Sequence, residues 1–146
     1  MAVAVETEIT IDRPRVEVAA YACDPDHAPA WYQNIRAVEW KTQPPLAVGS
    51  RIAFVARFLG RTLSYTYEVR ELVPAERFVM STAEGPFPME TTYEWRDAGL
   101  EATTMTLRNR GEPAGFAGVA TPFIARAIKR ANSKDLKLLK RIVERG

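Results

Sequence analysis

The sequence contains a single cysteine and a single histidine, Cys23 and His27. One cysteine cannot form an internal disulfide, and the two residues together supply too few ligands for a structural zinc site. The chain also lacks a glycine-rich phosphate loop, a dinucleotide-binding fingerprint and a G-x-S-x-G motif. These absences argue against nucleotide-dependent enzymes and serine hydrolases, and we predict neither a metal site nor a cofactor.

Long hydrophobic runs are also missing. No apolar stretch approaches the roughly 20 residues that span a bilayer, and the N-terminus reaches an acid at Glu6 without a basic segment before it. The 146 residues, 47% hydrophobic and 26% charged, suit one domain with one core. We therefore expect a single domain over residues 1–146, no signal peptide, no stable membrane insertion and a cytoplasmic location.

An alternation of apolar and polar residues runs through most of the chain. A first strand is predicted at residues 3–11, and two short helices follow it, each opened by a proline at Pro14 or Pro25. Leu59, Gly60 and Arg61 form the predicted turn of a hairpin. Because the remaining strands are separated only by short turns, we predict one antiparallel sheet with strands at residues 38–41, 49–59, 63–69, 77–82, 89–95 and 101–109.

The only long segment with a helical period begins at Thr121 and ends near Arg145, after a connection of small residues at 111–120. Its apolar stripe changes direction near Asn132, and Asp135 falls within the stripe. A buried carboxylate needs a partner, so we expect an arginine or a donor from the short helices beside Asp135.

Eight basic and two acidic residues give the last segment, residues 121–146, a charge of +6, so the rest of the chain carries −4 of the total of +2. The basic side chains share one helix face. A solvated surface explains this face, and contact with nucleic acid, an acidic carrier protein or an anionic membrane is the alternative. No aromatic residues are interspersed among the basic ones, so we predict no nucleic-acid partner.

One helix that crosses one curved sheet leaves space between the two. Small residues of the helix (Ala120, Ala125, Ala127 and Ala131) and an aromatic sheet face with hydroxyl groups, including Thr103 and Asn109, favour a ligand cavity there. The alternative is an aromatic core without room for a ligand. Cys23 is interpreted as a small core residue and His27 as a surface or entrance residue rather than as a nucleophilic pair.

The order of elements resembles a known superfamily. The residues that carry the resemblance are the strand at 9–11 with Pro14 and Val18, then Trp31, and the segments 67–69, 74–78, 103–107 and 135–140. Together they resemble the START-like, Bet v 1-like helix-grip superfamily (SRPBCC), and within it the polyketide cyclase/dehydrase group of small bacterial proteins. The likeness covers nearly the whole chain and lies in its architecture.

The resemblance implies an α+β helix-grip fold, in which a curved seven-stranded antiparallel sheet surrounds a long C-terminal helix and two short helices follow strand 1. It also implies a hydrophobic tunnel for a lipid, polyketide or aromatic ligand between the sheet and that helix. We expect the tunnel to be lined by Trp31, Phe54, Phe58, Tyr65, Tyr67, Met80, Thr91, Tyr93, Trp95, Met105, Leu107, Phe123 and Ala127.

Three functions stay open at this stage. The first is binding of a hydrophobic small molecule. The second is a cyclase/dehydratase-type enzyme, in which Tyr65, Tyr67 or Tyr93 donates a proton to a carbonyl oxygen, although the sequence shows no general base beside them. The third is a protein–protein adaptor that acts through the basic helix face. The oligomeric state also stays open, a homodimer included.

Overall fold

The structure, a computed structural model, describes residues 3–112 and 121–145. Most of the 111–120 connection, with Ala120, therefore lies outside the described residues. The elements follow the predicted order. The second strand begins at Ile35 rather than at residue 38, and the fourth and sixth strands extend to Val73 and Gly99 rather than to residues 69 and 95. The elements are β1 (Val3–Ile11), α1 (Arg15–Cys23), a 3₁₀ turn (Pro25–His27), α2 (Ala28–Trp31), β2 (Ile35–Trp40), β3 (Arg51–Phe58), β4 (Arg61–Val73), β5 (Arg77–Glu84), β6 (Met89–Gly99), β7 (Ala102–Gly111) and α3 (Thr121–Arg145).

The strands form one antiparallel sheet in the order β1-β7-β6-β5-β4-β3-β2. Leu59 and Gly60 connect β3 to β4 with φ angles of 49° and 76°. Positive φ at both central residues matches the right-handed twist of a hairpin and explains the glycine. The predicted seven-stranded helix-grip architecture is confirmed.

Irregularities in the strand pairing help the sheet to curl around α3. The pairing of β4 with β5 shifts register at Thr66/Tyr67 and again at Val69/Glu71, and β2 shifts against β3 at Ile35/Ala37. An extra residue in one strand bends that strand and increases its local twist. The sheet therefore forms a half-barrel with a concave face toward the helix.

The C-terminal half of α3 is fastened to the end of β1. The Glu144 carboxylate accepts a hydrogen bond of 2.8 Å from the backbone N–H of Asp12, and Lys140 Nζ donates to the carbonyl of Thr10 at 3.0 Å. On the same helix, Leu136 and Leu139 are 1% and 0% exposed and belong to the main core. This half of the helix is packed on the sheet.

The opposite face of α3 carries the positive charge. Seven of the eight basic residues are exposed (Arg126, Lys129, Arg130, Lys134, Lys137, Arg141 and Arg145), and Lys140 is half-buried against Glu144. Within residues 3–112 and 121–145, no helix has the length and apolar character that a membrane crossing requires.

Candidate functional site

A cavity of about 190 Å³ lies between the concave face of the sheet and α3. Aromatic and aliphatic side chains predominate in its wall. The sheet contributes Phe54, Ala56, Phe58, Leu63, Tyr65, Tyr67, Phe78, Met80, Met89, Thr91, Tyr93 and Asn109, and the helix contributes Ile124, Ile128, Ala131, Asn132 and Asp135. Tyr32 and residues around Cys23 complete the wall on the side of the short helices.

Seven of the thirteen residues expected to line the site do so. They all belong to β3–β6, and they are Phe54, Phe58, Tyr65, Tyr67, Met80, Thr91 and Tyr93. Their side chains alternate with outward-facing residues along each strand, which is the pattern the sequence showed. Their contact with a ligand stays a prediction.

Four other expected residues lie in the packed core rather than on the cavity wall. Trp31, Met105 and Leu107 are 0% exposed and Trp95 is 3% exposed. They share a buried cluster with Leu136 of α3 and with residues of α1. The second half of α3, together with α1, packs on this end of the sheet, and the contact of these four residues with a ligand stays a prediction.

Phe123 and Ala127 also lie away from the cavity wall, at the N-terminal end of α3. Phe123 is 55% exposed, whereas its neighbour Ile124 is 2% exposed and lines the cavity. The inward row of the helix is Ile124, Ile128 and Ala131, so a residue one position before a member of this row is rotated by about 100° away from the sheet. Phe123 and Ala127 each precede a member of this row by one position, and their contact with a ligand stays a prediction.

The hydroxyl groups of the sheet bond to one another. Thr91 Oγ1 donates to Asn109 Oδ1 at 2.6 Å and lies 2.9 Å from the hydroxyl oxygen of Tyr67. Since the threonine hydroxyl has one hydrogen, the Tyr67 hydroxyl is the donor to Thr91. Burial raises the pKa of Tyr67 to about 12. The Tyr67 hydroxyl therefore stays protonated, and its proton already forms a hydrogen bond to Thr91.

A second pair joins the sheet to the short helices. The hydroxyl oxygens of Tyr32 and Tyr93 are 2.8 Å apart, and burial raises the pKa of both well above the usual range. Sequence reasoning missed Tyr32. It directly follows α2, and only the turn that brings this helix over β6 places its ring at the cavity.

Tyr65 differs from the other cavity tyrosines. Its ring packs between Phe54 and Tyr67, with centroid distances of 5.6 and 5.0 Å. Burial raises the pKa of this hydroxyl as well. Within residues 3–112 and 121–145, the Tyr65 hydroxyl makes no hydrogen bond. Its proton is therefore available to a ligand in the cavity.

Asn132 is a polar residue of α3 on the cavity wall. It is 5% exposed, and its Nδ2 atom has no hydrogen-bond partner among the described residues. An unpaired buried donor costs about 1–3 kcal/mol. The change of direction that the sequence showed at this position marks the place where the helix presents an amide group to the cavity.

Asp135 lies one helical turn beyond Asn132 and is 2% exposed. Its Oδ1 atom accepts a hydrogen bond of 3.1 Å from the backbone N–H of Gln33, directly after α2. An arginine or a donor on the short helices was expected, and the observed donor lies just beyond them, in the backbone after α2. Burial raises the pKa of Asp135 to about 6, more than the Gln33 bond lowers it. The cavity therefore contains a carboxyl group that can exchange a proton near neutral pH.

Cys23 and His27 do not form a reactive pair. Burial raises the pKa of the Cys23 thiol to about 12, which disfavours the nucleophilic thiolate. The His27 ring stacks on Tyr21 with a centroid distance of 4.1 Å, and Nδ1 lies 3.0 Å from the Tyr21 carbonyl oxygen. Among the described residues, no group of three or more His, Cys, Asp or Glu side chains is placed to hold a metal ion.

Residues 2–144 match a family model described as polyketide cyclase / dehydrase and lipid transport. The chain belongs to this family. The resemblance to the START-like superfamily drawn from the sequence is thereby confirmed. A comparison with curated proteins found no match.

Solved structures support the same assignment at the level of the fold. A START superfamily protein from Mycobacterium smegmatis is 14% identical, with a TM-score of 0.84 and 97% of each chain covered. The protein TTHA0849 from Thermus thermophilus is 22% identical, with a TM-score of 0.81 and 96% of each chain covered. The Zhui aromatase/cyclase from Streptomyces sp. R1128 is 20% identical, with a TM-score of 0.77, and the match covers 99% of this chain and 95% of that one.

The family description names both enzymes and lipid carriers. Membership therefore places the chain among proteins with a shared fold and leaves its own activity to be argued from the cavity.

Proposed function

We propose that this family member binds a hydrophobic small molecule, of lipid, polyketide or aromatic type, in the cavity between the sheet and α3. The observation that carries the proposal is the cavity itself, about 190 Å³ in volume with a mainly apolar and aromatic wall. A dry cavity of about 150 Å³ accepts benzene in other proteins. The volume therefore suits one substituted ring or a short segment of a longer chain.

A cavity-filling substitution tests the proposal. Ala131 lines the cavity, so Ala131→Phe should place a ring in it. Ala127 lies on the same helix away from the wall, and Ala127→Phe is the matched control. Titration with cumene, a neutral apolar probe, followed by ¹H–¹⁵N NMR should show binding to the wild type and the control, and a loss of about tenfold or more in Ala131→Phe.

The contrary result is equally clear. Equal cumene affinity in wild type and Ala131→Phe would show that the probe binds elsewhere and would reject the cavity as its site. Native mass spectrometry of protein from its natural host complements the titration, because a retained small molecule should be present in the wild type and absent from Ala131→Phe.

A cyclase/dehydratase-type activity is the second candidate. The sequence showed no general base near the cavity tyrosines, whereas Asp135 supplies a titratable carboxyl group in the same cavity. Tyr65 is the best placed proton donor of the three tyrosine candidates, because the Tyr67 hydroxyl already donates to Thr91 and the Tyr93 hydroxyl is paired with that of Tyr32.

The test is turnover of a poly-β-ketone thioester with three variants. Asp135→Asn and Tyr65→Phe should each slow turnover by a factor of about 10² or more while binding persists, whereas Tyr67→Phe should slow it less. Wild-type protein that leaves the thioester unchanged, or an Asp135→Asn variant with unchanged turnover, would reject this candidate and leave the binding function standing.

A further inference from the structure

Three buried nitrogen donors have no hydrogen-bond partner within the part of the chain that the structure describes: Trp31 Nε1, Trp95 Nε1 and Asn132 Nδ2. The two indoles belong to the packed core, and Asn132 alone of the three lines the cavity. An unsatisfied amide at 5% exposure is a cost to the free protein that an oxygen atom of a ligand would remove.

The charges around this amide restrict the kind of oxygen that fits. Asp135 is one turn away on the same helix wall, and Asp24 is the other acid among the described residues that line the cavity. The described lining residues include one cation, Arg110, whose side chain is 54% exposed and lies 3.5 Å from Glu90. A carboxylate placed beside Asn132 would face a buried like charge without a cation to offset it.

We propose that the cavity selects neutral ligands that carry a carbonyl oxygen, that Asn132 Nδ2 donates to this oxygen, and that Asp135 rejects ligands with a carboxylate at the same position. The inference rests on the proposed function, since it specifies the ligand of that cavity. It separates ketones and aldehydes from free fatty acids and aromatic acids, which are hydrophobic ligands of similar size.

Three probes of one shape test the inference: acetophenone with a carbonyl, cumene without oxygen, and benzoate with a carboxylate. Asn132→Leu should weaken acetophenone binding about tenfold, the value of one hydrogen bond to a buried donor, and should leave cumene affinity within about twofold. Ala127→Leu, which places the same side chain on α3 outside the cavity wall, is the control and should change neither affinity. Asn132→Ala repeats the test with a smaller side chain if leucine prevents folding.

The carboxylate arm is measured at about pH 8, where Asp135 is ionised. Benzoate should bind the wild type at least about tenfold more weakly than acetophenone, and Asp135→Asn should strengthen benzoate binding about tenfold with acetophenone changed by less than about twofold.

Loss of cavity binding and loss of the carbonyl preference give different experimental results. If the wild type binds neither cumene nor acetophenone, the cavity-binding function is overturned and the inference with it. If cumene binds but Asn132→Leu affects acetophenone and cumene equally, or if benzoate binds the wild type as well as acetophenone does, the inference is overturned and cavity binding stands.

Discussion

The polar groups on the two walls of the cavity differ in how completely they are hydrogen-bonded. On the sheet, the hydroxyls of Tyr67 and Thr91 and the amide oxygen of Asn109 form a chain of hydrogen bonds. On α3, the Asn132 amide nitrogen has no partner among the described residues, and Asp135 has one backbone donor. Polar groups that satisfy each other stabilise the free protein, whereas groups left unsatisfied beside a cavity are available to a ligand. We therefore regard the Tyr67–Thr91–Asn109 network of the sheet as structural and the helix wall as the ligand-recognising side.

The largest expected effect is on the sheet wall. Thr91→Val keeps the shape of the side chain but removes the acceptor of the Tyr67 hydroxyl and the donor to Asn109. The buried Tyr67 hydroxyl and the half-buried Asn109 amide oxygen are then unpaired, and the free energy of unfolding should fall by about 3 kcal/mol. Urea denaturation measures this loss. A loss below about 1 kcal/mol would mean that the sheet network does not stabilise the fold.

Removal of the Asp135 charge should stabilise the protein, in contrast to Thr91→Val, because this charge is unfavourable in the folded state. Burial raises its pKa from 3.8 to about 6, so the folded protein binds this proton more tightly than the unfolded chain does. The stability that this bound proton contributes to the folded state is complete below about pH 3.8 and is lost as the pH rises through about 6.

Asp135→Asn should therefore unfold with a free energy about 2–3 kcal/mol higher than the wild type near pH 8, and the difference should shrink toward pH 4. Denaturation series at both pH values measure it, and groups common to both proteins, such as Glu144, cancel in the difference. A gap that widens toward low pH would have the wrong sign and would contradict a buried, destabilising carboxylate.

Asn132→Leu should also stabilise the free protein. The substitution replaces an unpaired amide at 5% exposure with an apolar side chain of similar size, and the expected gain is about 1–2 kcal/mol. Asn109→Leu is the matched comparison on the sheet wall and should destabilise, since it removes the acceptor of Thr91. Destabilisation by both leucine variants would show that the two walls do not differ.

The smallest expected effect is the difference in stability loss between variants of two nearby tyrosines. Tyr67→Phe removes a buried hydrogen bond and should cost about 1 kcal/mol, whereas Tyr65→Phe removes a hydroxyl that bonds to no group in the described residues and should change stability by less than about 0.5 kcal/mol. Thermal unfolding of the two variants side by side provides the measurement. Equal losses would assign the Tyr65 hydroxyl a partner and remove the distinction.

Much of the sheet wall could be predicted from the sequence. Successive residues of a strand face opposite sides, so the alternation around Phe54, Tyr65, Tyr67 and Tyr93 places these rings on one face from local geometry alone. The same alternation also selected Trp95, which lies away from the cavity wall. The position at which a helix crosses a sheet is set by tertiary packing, and strand periodicity carries no information about it.

The helix wall was less accessible to sequence reasoning. The signal was present, since the apolar stripe changes direction at Asn132 and contains Asp135. Its meaning depends on the sheet residues opposite that turn of the helix, and these come from β4 and β6, about 40–70 positions away along the chain. Phe123 and Ala127 show how precise the placement of a helix must be. Each lies one position before a residue that lines the cavity, and one helical position rotates a side chain by about 100°.

The most direct test of the difference between the walls is the side-chain amide spectrum of ¹⁵N-labelled protein titrated with acetophenone. The Asn132 NH₂ resonances, assigned by their absence in Asn132→Leu, should shift downfield as they donate to the ketone, while the Asn109 resonances should move little. A ligand that saturates the protein and shifts Asn109 while leaving Asn132 unchanged would contradict the account.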